Sequence, residues 1–369
     1  MSIDRIESWT VRIPLRWPIE LGSMRFVDRD YTVLRITDSD GVQGVAFGMA
    51  RNAPVLGVIR TLAPLVVGRD TSDSERLWSD LYVASVPHGQ RGVSLRALSL
   101  IDIAVWDIRA TAAGLPLWNM LGGFRREAQV IVGGGYFRDR RGPDEVAEEL
   151  RGYVSDGFSQ VKIPMGGLDP GVEERWVGAA REAVGDGVDL AVDAHWTYRN
   201  VRSARRVLER LDQFGLAWIE DPLWPEAIQA AAELRRFIRS PIAIGDELSG
   251  RWVYEDLHRS GAADIWRVDV TTVGGFTEFR RIAALAETHG TPISTHIYPE
   301  LHVHCALAFD SVMGVEYTAP EADIDLSHRF LAEPANPVQG IVGAPTAPGL
   351  GIALDWDAIE AFAAERFEA

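Results

Sequence analysis

Between residues 129 and 318 the chain repeats one unit eight times: a short, almost continuously apolar run, followed in every case but the last by a helix-length segment. The runs are QVIVGGG, SQVKIP, DLAVDA, LAWIED, PIAIGDE, DIWRVDV, TPISTHI and MGVEYT. A strand with one wet face alternates apolar and polar residues. A strand that is apolar throughout is covered on both faces, which parallel strands joined by helices achieve. Eight such units predict a closed (β/α)₈-type barrel of the α/β class. No helix is evident after the eighth run, so the repeat is incomplete there.

The first 125 residues follow a different pattern. Strand-like runs near 6–13, 31–36 and 42–47 are followed by helical periodicity over about 53–65, 73–84 and 93–113. The third helical stretch is apolar nearly all round, as expected of a helix buried between two layers. The expected division is an α+β domain over 1–125, a barrel over 126–324, and a Pro/Gly-rich tail over 325–369 that returns to the first domain and ends in a short amphipathic helix.

At 369 residues the chain is long enough for two such domains. The N-terminus lacks the profile of a signal peptide, and the single cysteine, Cys305, cannot form an internal disulfide. No apolar stretch approaches the roughly 20 residues that span a bilayer. The expected location is the cytoplasm, and a homo-oligomer is expected. The net charge of −16 argues against nucleic acid or an anionic membrane as partner. It also repels an anionic substrate at long range, so local cations must overcome that field.

Seven of the runs end on an ionisable residue: Lys162, Asp193, Glu220, Glu247, Asp269, His296 and Glu316. The steps Asp193 to Glu220, Glu220 to Glu247 and Asp269 to His296 are each 27 residues. Equal spacing means equivalent positions on successive units, so these side chains should ring one mouth of the barrel, where such folds carry their chemistry. Taken alone, any of these acids can equally be a helix N-cap.

Asp193, Glu220 and Glu247 lie on consecutive strands, and three converging carboxylates call for a cation. All-oxygen ligation selects Mg²⁺ or a similar hard ion. The neighbouring Asp221 and Asp246 should face away from the axis by strand alternation. Asp269 beside His296 makes a general base, the carboxylate fixing the imidazole tautomer. Lys162 is the only lysine among the 37 Lys and Arg residues. At its strand end an amine can hold a carboxylate oxygen or exchange a proton. His195, two residues beyond Asp193, is either a general acid or a hydrogen-bonding neighbour. His302 and His304 read as packing or surface residues.

Together these motifs resemble the enolase superfamily, in its mandelate racemase-like branch. The resemblance covers essentially the whole chain and implies a modified (β/α)₇β TIM-type barrel with an α+β capping domain. It implies one Mg²⁺ per subunit on Asp193, Glu220 and Glu247, a His296–Asp269 dyad, Lys162 against the substrate carboxylate, and Glu316 hydrogen-bonding that carboxylate. The stretches SMRF and QRGVSLRALSLIDIAVWDI look most like sugar-acid dehydratases and cycloisomerases of the branch. The branch often has Lys-x-Lys on strand two; here the motif is Lys162-Ile163-Pro164. Proline exchanges no proton, which argues against a symmetric two-base racemase.

The expected reaction is removal of the proton α to a carboxylate, then loss of water to a 2-keto-3-deoxy acid from a small hydroxylated carboxylate. One-base epimerisation and lactone cycloisomerisation use the same site, and a non-catalytic binding protein is the distant alternative. In the cap, residues 16–26, with Pro18, Gly22 and Ser23, read as a mobile lid. Arg16, Arg25 or Arg51 would grip a distal hydroxyl or carboxylate there, the alternative being ordinary surface arginines.

Overall fold

The computed structural model describes residues 2–369 apart from 22, 23, 166 and 168. A cap comes first. Strands β1 (Ile3–Leu21), β2 (Met24–Asp38) and β3 (Gln43–Met49) pair antiparallel, followed by helices Val55–Val66, Ser74–Ala84 and Val93–Ala112. The barrel strands are β4 (Glu127–Gly133), β5 (Gln160–Pro164), β6 (Asp189–Asp193), β7 (Trp218–Glu220), β8 (Ile242–Ile244), β9 (Ile265–Val268), β10 (Ile293–Thr295) and β11 (Val312–Thr318). Each pairs in parallel with the next, and β11 returns to pair with β4, closing the ring. Helix-length segments separate the strands, as the unbroken apolar runs require. After β11 the described residues contain only short 3₁₀ turns before the tail.

The tail adds what hydropathy alone did not reveal. Strand β12 (Ile341–Gly343) lies antiparallel against β4. Helix Trp356–Phe362 leads into β13 (Ala363–Glu368), which pairs with β1 and completes a sheet of order β13-β1-β2-β3. Strand β13 is mostly exposed and three of its six residues, Glu365, Arg366 and Glu368, are charged, so it carries no apolar signature.

Side chains fill the barrel rather than leaving a pore. At its floor Ile131, Ala191, Trp218, Ala243 and Ile265 form a separate apolar cluster, with alanines on β6 and β8 making room for the indole on β7 between them. Residues two further along these strands point the same way and reach the C-terminal mouth.

The cap is welded to the barrel through helix Val93–Ala112, of which 16 residues are buried. Burial on every side explains why that helix lacks an amphipathic pattern. Asp102 accepts hydrogen bonds from Thr277 N (2.9 Å) and Thr277 Oγ1 (2.6 Å). The Tyr298 hydroxyl accepts from Met49 N at 2.7 Å, and Tyr31 donates to Asp325 at 2.6 Å. The far ends of β1 and β2 lie over the mouth. Ile19 and Leu21 are buried there against Tyr136 and Ile324, so the described part of the expected lid is paired strand packed in place. Gly22 and Ser23 lie outside the described residues.

Gly275 sits in this seam with φ 75°, and a Cβ there would meet Asp102 Oδ2 at 2.3 Å. Gly275→Ala is expected to cost about 2–4 kcal/mol through combined backbone strain and overlap. The check is the thermal unfolding midpoint; an unchanged midpoint would mean that the seam can relax around a methyl group.

Candidate active site

Four charges occupy the centre of the mouth, all almost wholly shielded from solvent. Lys162 Nζ lies 2.9 Å from Glu220 Oε1, 2.9 Å from Glu316 Oε1 and 3.6 Å from Asp193 Oδ2. Arg267 Nε lies 3.0 Å from Glu220 Oε1, and its Nη2 bonds Glu316 Oε2. Trp218 Nε1 donates to Glu220 Oε2 at 3.2 Å. Burial alone would push both acids toward their neutral forms, but Lys162 and Arg267 outweigh it and hold Glu220 and Glu316 below the usual carboxylate range. Burial and Arg267 oppose the charge on Lys162, yet the surrounding carboxylates prevail and raise its affinity for the proton.

On β10's side of the mouth, His296 Nδ1 stands 2.9 Å from Asp269 Oδ2. Asp269 Oδ1 accepts from Thr271 N and Thr271 Oγ1, both at 2.7 Å. Although burial opposes it, the bond from His296 and these further partners hold Asp269 ionised, down at about 2. An ionised acceptor at Nδ1 places the imidazole proton there and leaves the Nε2 lone pair facing the mouth, 3.6 Å from Asp246 Oδ2. His302 and His304 are fully buried packing residues; the ring nitrogens of His302 accept from Val270 N and meet Ile297 O.

The third acidic position differs from the expectation. Glu247 turns toward the cap, where Arg51 Nε lies 2.8 Å from its Oε1 and Arg96 bonds its Oε2. Asp246, expected to face the helices, instead lies 3.6 Å from His296 Nε2, and after burial it helps raise Asp221, and after burial and Glu220 it helps raise Asp193, well above the ordinary range. Its Oδ1 is buried without a hydrogen-bond partner. Alternation failed because β8 ends at Ile244 and the next residue, Gly245, has φ 137°. A Cβ at Gly245 would lie 2.5 Å from Arg267 O, so this reversal depends on glycine.

The same break recurs after other strands. His195, Asp221 and Ile297 each have left-handed backbone immediately after or near a site residue, with φ 45°, 39° and 39°. Such strain clusters where the surrounding structure over-determines the chain. His195 comes to rest beside Asp193, its Nε2 3.1 Å from Oδ2 and its backbone N donating to Oδ1 at 2.9 Å. Burial, then the charge of Lys162, pushes its imidazole down to about 3. Among the described residues no three His, Cys, Asp or Glu side chains stand close enough to share an ion as they are; Lys162 lies between Asp193 and Glu220.

Comparison with known proteins decides the family. Residues 5–122 match the mandelate racemase / muconate lactonizing enzyme N-terminal domain, and residues 145–358 match the enolase C-terminal domain-like family. The chain belongs to the mandelate racemase-like branch of the enolase superfamily. It is 34% identical to D-galactarolactone cycloisomerase of Agrobacterium fabrum, covering 98% of this chain and 99% of that protein. It is 32% identical to 3,6-anhydro-alpha-L-galactonate cycloisomerase of Streptomyces coelicolor, covering 96% and 98%. Among solved structures it is similar to L-talarate dehydratase from a Polaromonas species complexed with Mg and L-glucarate, with TM-score 0.90, 29% identity, and coverage of 100% of this chain and 99% of that one. A racemase from Streptomyces coelicolor with bound magnesium also superposes at TM-score 0.90, with 28% identity over 98% of this chain and 99% of that one.

In this mandelate racemase-like enzyme, the cap contributes differently from the expectation. Arg25 is exposed, with its Nε 4.0 Å from Glu20 Oε1. Arg16 lies over the Trp17 ring at 4.2 Å and lines a separate cavity of about 680 Å³ beside helix Pro143–Ser155. As placed, Arg16 donates its backbone N to Asp323, Arg25 faces Glu20, and among the described residues neither forms an ion pair with the acids of the mouth. Arg51 does reach the mouth. Its loop is left-handed at Arg51 and Asn52, and Asp30 Oδ2 accepts from Asn52 N at 2.7 Å. Arg96, Arg267, Asp246 and Tyr136 were not singled out as site residues from sequence. Two of them had a signal: Arg267 stands two residues before Asp269 on the same strand face, and Asp246 adjoins Glu247 in the run PIAIGDE.

Arg267→Met would leave Glu220 and Glu316 buried with Lys162 as their one remaining cationic partner among the described residues. We expect a loss of about 3–5 kcal/mol, the usual consequence of removing one partner from a buried charge network. Arg267→Lys should recover part of it. Denaturant midpoints of the two variants check this; wild-type stability in Arg267→Met would mean that Lys162 alone balances both acids.

Proposed function

We propose that the enzyme removes the proton α to the carboxylate of a sugar acid and then eliminates water, giving a 2-keto-3-deoxy acid. The observation that carries this reading is the His296–Asp269 dyad at 2.9 Å on one side of the mouth, with Lys162 and Glu316 together across it. His296 Nε2 takes the α-proton while Asp269 holds the imidazolium that forms. Lys162 binds and orients the substrate carboxylate, whose charge grows as the enediolate develops, and Glu316 holds the ammonium in place.

The donor set fits Mg²⁺. Asp193, Glu220 and Asp246 offer only oxygen, Asp246 Oδ1 is buried and unpartnered, and burial with neighbouring acid raises Asp193. These three would hold the ion, which supplies Lewis-acid stabilisation of the enediolate charge. The structural relatives crystallised with magnesium support the same choice of metal. Glu247 then positions Arg51 for a distal hydroxyl or carboxylate of the substrate, and His195 orients Asp193.

A second reading, lactone opening, is supported by the relative named D-galactarolactone cycloisomerase, at 34% identity. Opening a sugar-acid lactone breaks the same β C–O bond after the same α-proton is lost, but the oxygen leaves as part of a carboxylate. Pro164 argues against a two-base racemase on either reading.

With Mg²⁺ and a panel of mono- and diacid sugars and their lactones, wild-type enzyme should form 2-keto acid and exchange the α-proton in D₂O. His296→Asn should lower both by about 10²–10⁴-fold, the usual range for a general base. Persistence of exchange would remove His296 from its role.

The ligand assignment has its own check. In calorimetric titration of Mg²⁺, Asp246→Asn should weaken binding at least tenfold, while Glu247→Gln should stay within a few-fold of wild type. The reverse order would restore Glu247 as the third ligand.

A further inference from the structure

The proposed elimination needs an acid for the leaving hydroxyl, and Tyr136 is placed to be that acid. Strand β4 ends at Gly133, which pairs with Lys162 on one side and Thr318 on the other. Two residues earlier Ile131 points into the barrel floor, so the missing side chain of Gly133 would point into the mouth. The Tyr136 hydroxyl fills that position, 3.5 Å from where the Cβ would stand. Tyr136 is only 8% exposed, its ring wedged between Ile19, Leu21 and Ile324. The charges felt at its hydroxyl are those of Lys162, Glu316, Asp193 and Glu220, with no hydrogen bond among them.

Tyr136 also borders a cavity of about 280 Å³ that it shares with Pro164, two residues beyond Lys162 on β5. Where a second lysine would stand on that strand, proline offers no proton, and across the same cavity wall stands this phenol. Burial in particular favours its protonated form, so it remains a donor at any working pH.

We propose that Tyr136 is a catalytic residue that protonates the oxygen leaving the β-carbon, on the Lys162–Pro164 side of the mouth. This rests on the reaction proposed above. His296 Nε2 takes the α-proton, and the electron pair left behind forms the enediolate. As that pair closes the α–β double bond, the β C–O bond breaks and the departing oxygen takes the phenol proton, leaving as water. The enol then receives the proton of His296 at the β-carbon and returns its hydroxyl proton to the phenolate. Both residues end as they began, and the sum is substrate to keto acid plus water. A lactone oxygen leaves as a stable carboxylate and needs no such proton.

The test is Tyr136→Phe in the Mg²⁺-loaded enzyme, which keeps the packed ring and removes only the hydroxyl. For acyclic sugar acids, α-proton exchange in D₂O should stay within about threefold of wild type while 2-keto acid formation falls about 10²-fold or more. Lactone opening should change by no more than a few-fold. A fluorotyrosine at position 136, of nearly the same shape and more acidic, should restore elimination. If exchange and elimination fall together, or if elimination is untouched because His296 serves as the acid, the assignment to Tyr136 is overturned. If wild-type enzyme exchanges no α-proton with any sugar acid, the reaction itself is wrong and the role of Tyr136 falls with it; the wild-type arm separates the two failures.

Discussion

Placing Lys162, Arg267, Glu220 and Glu316 together in the barrel mouth, nearly sealed from water, is the constraint on which the site depends. Each charge alone would carry a desolvation cost of several kcal/mol. The cost is offset only because two cations and two anions interleave, with Arg267 reaching from β9 across to β7 and β11, and Lys162 reaching the same two acids from β5. Four strands are thereby tied at their C-terminal ends by charge as well as by backbone pairing. The substrate carboxylate and a divalent ion would enter a field already held rigid, which is the condition for electrostatic stabilisation without reorganisation.

Around this centre the structure separates reactivity from support. His296 is oriented by an acid that is itself anchored by Thr271, so its basic nitrogen has a fixed direction. Arg51 enters from the cap but is aimed by Glu247 on the barrel. The site is therefore completed only when cap and barrel are docked, and the polar seam at Asp102, Tyr31 and Tyr298 acts on the site through that docking.

Much of this was legible beforehand because it follows from period and burial. Eight apolar runs announced a closed parallel ring, and the missing helix after the eighth was already visible. The 27-residue steps from Asp193 to Glu220 and from Asp269 to His296 carried those residues to one mouth. The third step misled. The run PIAIGDE places Asp246 and Glu247 side by side, and alternation favoured Glu247 only if the strand continued through Gly245. The strand stops one residue earlier, and a left-handed glycine reverses which acid faces the axis.

The sequence by itself determined the barrel, the cap, the family resemblance and the dyad, because these rest on periodicities of two residues and of one βα unit that survive any detail of packing. Only the tertiary structure decided which of two adjacent acids turns inward, that Arg267 locks the centre, and that Tyr136 occupies the space above Gly133. Those outcomes depend on where a strand ends and on which distant side chain fills a gap, and contacts between distant segments leave no periodic trace in the chain.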